Sequence, residues 1–199
     1  MKLIILDRDG TINWDSEDFV KTADEWIPMP GALDAIARLN HAGWRVVLAA
    51  NQPGLGRGLF EMAALNQIHA KMHKLLAAAG GRIDAVFYCP HAPHEGCDCR
   101  KPRPGLFHQI AERYGVELKN VPTAGDGLRD IQAGVAAGCV AHLLLTGQGA
   151  QFRDRLASGE PLPEAFPAGT PVHEDLAAFA SFIIEREDSA QRVRATETA

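Results

Sequence analysis

Short apolar runs alternate along the chain with longer stretches of helical spacing, and most runs end in small or polar residues. Leu3 to Leu6 reads as a buried strand, and Pro30 to Leu39 opens on proline, keeps helical spacing and stops near Gly43. Arg45 to Ala50 reads as a second strand. From about Glu61 to Ala79, Met62, Leu65, Ile68, Met72 and Leu75 fall on one stripe, and Gly80-Gly81 ends the helix. His69 and His73 lie on this helix at i,i+4. With no other ligand type beside them, they read as a solvated face. The alternation continues with strand Ala85 to Cys89, helix Pro104 to Tyr114, strand Val121 to Ala124, helix Leu128 to Ala137 and strand Val140 to Leu145. Five strands joined by helical crossovers predict an α/β fold, Rossmann-like, with a mainly parallel central sheet.

Pro161 to Pro171 reads as a proline-rich linker and Asp175 to Glu187 as a final amphipathic helix. Residues 188–199 are polar and are expected to be a disordered tail, which leaves residues 1–187 as a single domain.

A formal charge of -5 leaves no net basic field to hold a phosphate backbone, so nucleic acid is not expected as a partner. The apolar runs fall well short of the roughly 20 residues a membrane span requires. The chain enters its first strand at once, with no apolar leader, and a cytoplasmic protein is expected.

Candidate chemistry collects where the predicted strands end. Asp7 and Asp9 follow the first strand, and hard carboxylate oxygens at i and i+2 can face one Mg2+. One of them can attack phosphorus while the other serves as acid and base. Gly10 permits a sharp turn and Thr11 can brace it with its hydroxyl. Asn51, Gln52 and Pro53 open a glycine-containing loop after the second strand, Arg100 and Lys101 supply a planar fork and a point charge, and Asp126 follows the fourth strand. Asp130 comes four residues later.

Cys89, His91, Cys97 and Cys99 lie within eleven residues, enough for a closed tetrahedral zinc site, with His94 as an alternative to His91. Filled by protein alone, such a site braces the loop that carries Arg100 and Lys101. Cys139 stands alone in an apolar segment, so a disulfide framework is not expected.

Together the Asp-x-Asp-x-Thr, Lys-Pro and Gly-Asp-x-x-x-Asp segments resemble the haloacid dehalogenase superfamily of phosphatases over residues 1–148. Cys-Pro-His, Cys-Asp-Cys-Arg-Lys-Pro and Leu-Asp-Arg-Asp-Gly-Thr-Ile-Asn narrow the resemblance to its capless branch, the heptose bisphosphate 7-phosphatases and the related histidinol-phosphate phosphatases. That resemblance implies a phosphoaspartyl intermediate on Asp7, acid/base work by Asp9, and Mg2+ held by the Asp7 side chain, the Asp9 carbonyl and Asp126. Lys101 and Arg100 would steady the phosphoryl group.

The implied reaction removes the 7-phosphate of D-glycero-D-manno-heptose 1,7-bisphosphate on the way to the activated heptose of lipopolysaccharide core. The protein would act as a monomer on a small phosphorylated sugar. Sugar contacts would come from Asp15, Ser16, Glu17 and Asp18, with Phe19 beside them, and from the loop at Ala50, Asn51, Gln52 and Pro53. Arg100 and Arg57 would meet a distal phosphate.

One departure is Ala50, which stands where the superfamily places a threonine or serine hydroxyl, leaving backbone amides near Asn51 and Gln52 to substitute. A catalytically silent zinc-binding scaffold is the reading of another class that this departure motivates.

Overall fold

The computed structural model describes the backbone of residues 1–197. β1 (Leu3–Leu6) is buried at every position because hydrophobic layers cover both of its faces. Ile4 and Leu6 enter one layer, Leu3 and Ile5 the other. A side chain this fully buried contributes about 1.5–3 kcal/mol.

After β1 come α1 (Ala32–His41), β2 (Arg45–Asn51), a single turn α2 (Pro53–Gly56), α3 (Met62–Ala78) and β3 (Ala85–Cys89). The second half runs α4 (Gly105–Tyr114), β4 (Pro122–Gly125), α5 (Leu128–Ala136), β5 (Val140–Leu144), α6 (Arg153–Ala157), β6 (Val172–His173) and α7 (Leu176–Glu197). Six strands form one parallel sheet in the order β3-β2-β1-β4-β5-β6. α1, α3 and α7 pack on one face, and α4 and α5 on the other.

The strand order reverses between β1 and β4. Ligands of such sheets bind beyond the strand ends at that point, because the flanking crossovers diverge there and leave a crevice. Asp7 follows β1 and donates its backbone N–H to the Ala124 carbonyl of β4 at 3.0 Å. Asp126 follows β4. The topology alone therefore brings these two carboxylates together, although more than a hundred residues separate them.

Two expectations need correction. The sheet has a sixth strand, β6, too short at two residues to carry a period, which pairs at the edge with Leu143 and Leu144. Residues 188–197 are not a disordered tail but continue α7. The segment loses its apolar stripe beyond Glu187 yet contains no proline or glycine, and helix propensity persists without amphipathicity. Lys2 also pairs with Glu187 at 3.1 Å. Residues 198 and 199 lie outside the described residues.

On α3, His73 is exposed as read from the sequence, whereas His69 is half-buried with its ring 6.3 Å from that of Tyr88. No helix among the described residues is long and apolar enough to cross a membrane.

Candidate active site

Asp7, Asp126 and Asp130 gather their carboxylates within 4.8 Å of one another at the β1/β4 crevice. Lys101, only 2% exposed, reaches them from the loop after β3 and pairs with Asp7 at 2.7 Å and with Asp130 at 2.5 Å. The backbone of Lys101 is fixed by Asn51 at the end of β2. The Asn51 side chain donates to the Lys101 carbonyl at 3.1 Å and accepts its N–H at 3.0 Å.

Three carboxylates facing one ammonium leave a buried excess of negative charge. Burial pushes the Asp7 carboxyl up to about 7 against the pull of Lys101, with Asp130 and Asp9 adding to the rise. Burial likewise lifts Asp126 to about 8, reinforced by Asp130 and Asp7. Lys101 shifts upward because Asp130 and Asp7 outweigh the burial that opposes its charge.

A divalent cation is the natural complement of this cluster, and the uncommitted oxygens say where it would bind. Asp130 accepts from Lys101 through Oδ1 and from the Gly127 N–H through Oδ2 at 2.9 Å. Asp7 gives Oδ1 to Lys101 and Asp126 gives Oδ2 to the Gln148 N–H at 2.7 Å. One oxygen each on Asp7 and Asp126 has no such partner, so these residues fit as ligands while Asp130 anchors Lys101.

Two glycines shape the ground beside Asp126. Gly10, at φ +76°, and Gly147, at φ +47°, press on its carboxylate from separate loops, and a Cβ at either position would run into it. The loops are tied where the Thr146 hydroxyl donates to the Gly10 carbonyl at 2.6 Å.

The Asp9 side chain stands apart from the cluster. It accepts two hydrogen bonds from Arg8 Nη2, at 2.9 and 2.8 Å, and one from Nε at 3.0 Å. Asn13 and Gln52 donate to it at 2.8 Å each. Arg8 is fully buried, and Asp9 is its carboxylate partner. Thr11 does not brace this loop, since its hydroxyl is buried without a hydrogen bond. The turn is instead closed on the Arg8 carbonyl, which accepts the N–H groups of Thr11, Ile12 and Asn13.

A cavity of about 260 Å³ opens over Asp7, Asp9, Lys101 and Asp126, and Asn51, Pro53, Asp15 and Phe19 also line it. A larger cavity of about 880 Å³ adjoins it through Asp15, Phe19 and Gln148 and is lined by Trp14, Ser16 and Glu17. Although larger, it lacks the carboxylate cluster, so the smaller cavity is the candidate reaction site. Asp18 lines neither.

Ala50 is buried in β2 and offers only a methyl group. The Gln52 amide cannot replace the missing hydroxyl, because its N–H already donates to the Cys89 carbonyl at 2.8 Å. Gln52 is 4% exposed and serves Asp9 rather than the cavity. Arg100 and Arg57 both reach the cavity, and Arg57 lies over the Phe19 ring, 5.4 Å from its centroid. Arg8, Asn13, Asp130 and Gln148 are site residues to which the sequence assigned no role; the first three fall inside the quoted motifs, and Gln148 had no motif signal.

The second cluster joins Cys89, His91, Cys97 and Cys99 within 4.8 Å and omits His94, which is exposed. Cys89 and Cys97 are 3.5 Å apart at sulfur, and His91 Nδ1 lies 3.6 Å from the Cys89 sulfur and 3.3 Å from that of Cys99. Tetrahedral zinc with ordinary bond lengths separates two sulfurs by about 3.8 Å and sulfur from nitrogen by about 3.6 Å. These edges fit zinc and are too long for a disulfide.

The family model of haloacid dehalogenase-like hydrolases matches residues 14–138. The D-glycero-beta-D-manno-heptose-1,7-bisphosphate 7-phosphatase of Bordetella bronchiseptica is 57% identical over 185 residues, 93% of this chain and 99% of that protein. The protein of that name from Pseudomonas aeruginosa is 48% identical, covering 92% and 98%. A crystal structure of the B. bronchiseptica D,D-heptose 1,7-bisphosphate phosphatase, complexed with magnesium and phosphate, matches with a TM-score of 0.86 at 56% identity, over 94% of this chain and 99% of that one.

Proposed function

The chain belongs to the haloacid dehalogenase-like hydrolases, and on that premise we propose that it is a magnesium-dependent phosphatase removing the 7-phosphate of D-glycero-β-D-manno-heptose 1,7-bisphosphate. The observation that carries this is the buried carboxylate cluster, with its charge excess and its single ammonium, at the strand-order reversal. Its relatives supply the sugar.

In this reading Asp7 attacks phosphorus in line and the bond to the sugar oxygen breaks, and Asp9, having taken up a proton and turned from Arg8, passes that proton to the departing oxygen. Asp9 then takes a proton from the water that attacks the aspartyl phosphate, returning Asp7 and releasing phosphate. Arg8, Asn13 and Gln52 hold the Asp9 carboxylate in place, and Lys101 meets the phosphoryl oxygens. Asp7, Asp126 and the Asp9 carbonyl would hold Mg2+, which when bound would supply the charge that lets an anionic nucleophile approach an anionic phosphate. Cys89, His91, Cys97 and Cys99 would hold zinc and so brace the loop that delivers Arg100 and Lys101. The enzyme would work as a cytoplasmic monomer in supplying activated heptose for lipopolysaccharide core, without nucleic acid or membrane as partner.

A phosphate-release assay should show kcat/KM for the heptose bisphosphate at least about a hundredfold above that for histidinol phosphate, a difference of about 2.7 kcal/mol. Equal or better turnover of histidinol phosphate would move the protein to the related branch. Absence of turnover on any phosphomonoester would favour the silent scaffold.

A carboxyl whose pKa is raised by folding binds its proton more tightly folded than unfolded. The metal-free protein therefore loses stability as pH rises from the ordinary value of 3.8 through about 7 and 8. Mg2+ binds the deprotonated cluster and should raise Tm by at least about 3 °C more at pH 8.5 than at pH 5.5. A Mg2+ shift independent of pH would remove these carboxyls from the metal site.

A further inference from the structure

Arg129 has no role in anything above. It is the second residue of α5, where a cation opposes the positive end of the helix, and an acidic or neutral residue would be more stable. It is exposed and has no ion-pair or hydrogen-bond partner among the described residues. Its neighbour across the crevice is Arg100, whose Nη1 is buried and equally without a partner. Two unpaired guanidinium groups facing each other are unfavourable until an anion sits between them.

The space between them suits one. Besides the reaction cavity, both arginines line a second cavity of about 260 Å³ against the zinc loop, walled by Pro93, Gly96 and Cys97. The two cavities share Pro93, Arg100, Lys101 and Arg129. On the opposite side, the 880 Å³ cavity is rimmed by Asp15, Glu17, Glu174 and Asp175, and its Arg153 is already paired with Glu174 at 3.3 Å. A second phosphate on the substrate is repelled there and attracted toward Arg100 and Arg129.

Resting on the sugar-bisphosphate reading above, we infer that Arg129 pairs with Arg100 to grip the phosphate that is not transferred, and so makes the enzyme prefer a bisphosphate over a monophosphate. Arg129 is then a specificity-determining residue supplied by the α5 wall, facing the arginine supplied by the zinc loop.

The test compares kcat/KM for heptose 1,7-bisphosphate and heptose 7-phosphate in the wild type, Arg129→Gln and Arg129→Lys. The bisphosphate-to-monophosphate ratio should fall at least about tenfold in Arg129→Gln, mainly through KM, because a hydrogen bond to a charged group is lost. Arg129→Lys should recover part of it, and the difference should shrink as ionic strength rises. A ratio within about twofold of wild type would overturn the assignment. So would equal losses on both substrates, which would place Arg129 at the transferred phosphate. If the wild type fails to cleave the heptose bisphosphate, the substrate reading falls. The same ratio measured on fructose 1,6-bisphosphate and fructose 6-phosphate still decides whether Arg129 grips a second phosphate.

Discussion

Asp7→Asn should lower turnover by at least about 10⁴-fold, because an amide oxygen is too weak a nucleophile to form the phosphoaspartyl bond and the remaining groups have no covalent route. The fold should survive. In the metal-free protein Asp7 is one of three crowded carboxylates, and burial has raised it to about 7, so at pH 8 its ionised form opposes folding. Removing that charge should leave the metal-free Tm equal or higher at pH 8, while the Mg2+-induced rise shrinks. Lys101 keeps its partner Asp130 at 2.5 Å, so no buried ammonium is stranded. Mass spectrometry of acid-quenched enzyme should show one added phosphoryl group on the wild type and none on the variant. Residual turnover above about 1% of wild type would identify a different nucleophile.

Much of this site could be read from the chain because it sits at strand ends. Leu3 to Leu6 is apolar on both faces, which marks a central strand, and the residues just past it face the crevice by topology. Asp7, Lys101 and Asp126 could therefore be placed at one edge from three separate segments. What surrounds them had no such signal. The donors on Asp9 are Arg8, Asn13 and Gln52, and only the folded loop shows that all three point at one carboxylate. Gln148 reaches Asp126 from a 3-10 turn whose position depends on β5 ending beside β4. Gln52 was read as a phosphate contact because it follows a strand, but its amide closes the β2 to β3 connection and its side chain turns inward to Asp9.

The same distinction separates local from long-range errors. Thr11 sits in a turn where its hydroxyl could cap, yet three N–H groups converge on the Arg8 carbonyl and close the turn without it. Asp18 was grouped with Asp15 by proximity in sequence, but Asp15 and Phe19 line the reaction cavity while Asp18 lines neither cavity. His91 was preferred to His94 because Cys-x-His mirrors Cys97-x-Cys99, and the folded cluster gathers His91 with the three thiols. Arg129 carries no motif signal in the sequence, and its position at the mouth of two cavities is a property of the assembled sheet.

The zinc loop makes the second large prediction. Residues 93–96 are exposed, and few bonds tie the loop to the body: the Gly56 N–H donates to the Pro90 carbonyl at 2.8 Å, and Arg103 donates to the Gly96 and Cys97 carbonyls at 2.8 and 2.7 Å. Cys89 is anchored in the core, and Cys97 and Cys99 pack against it, but the exposed turn between them is drawn together through its thiols and imidazole, so much of the ion's binding energy is the loop's folding energy. Stripping zinc, or replacing Cys99 by serine, should lower Tm by at least about 5 °C, a shift of roughly 2 kcal/mol for a chain of this size. Turnover should respond unevenly. Lys101 stays pinned by Asn51 on β2, whereas Arg100, directly after Cys99, loses its support. KM for the bisphosphate should therefore rise more than kcat falls, and zinc should restore both in the stripped wild type but not in Cys99→Ser. Elemental analysis showing no stoichiometric zinc in the purified protein, or a stripped protein that melts within about 1 °C of the native one, would remove the brace from the account.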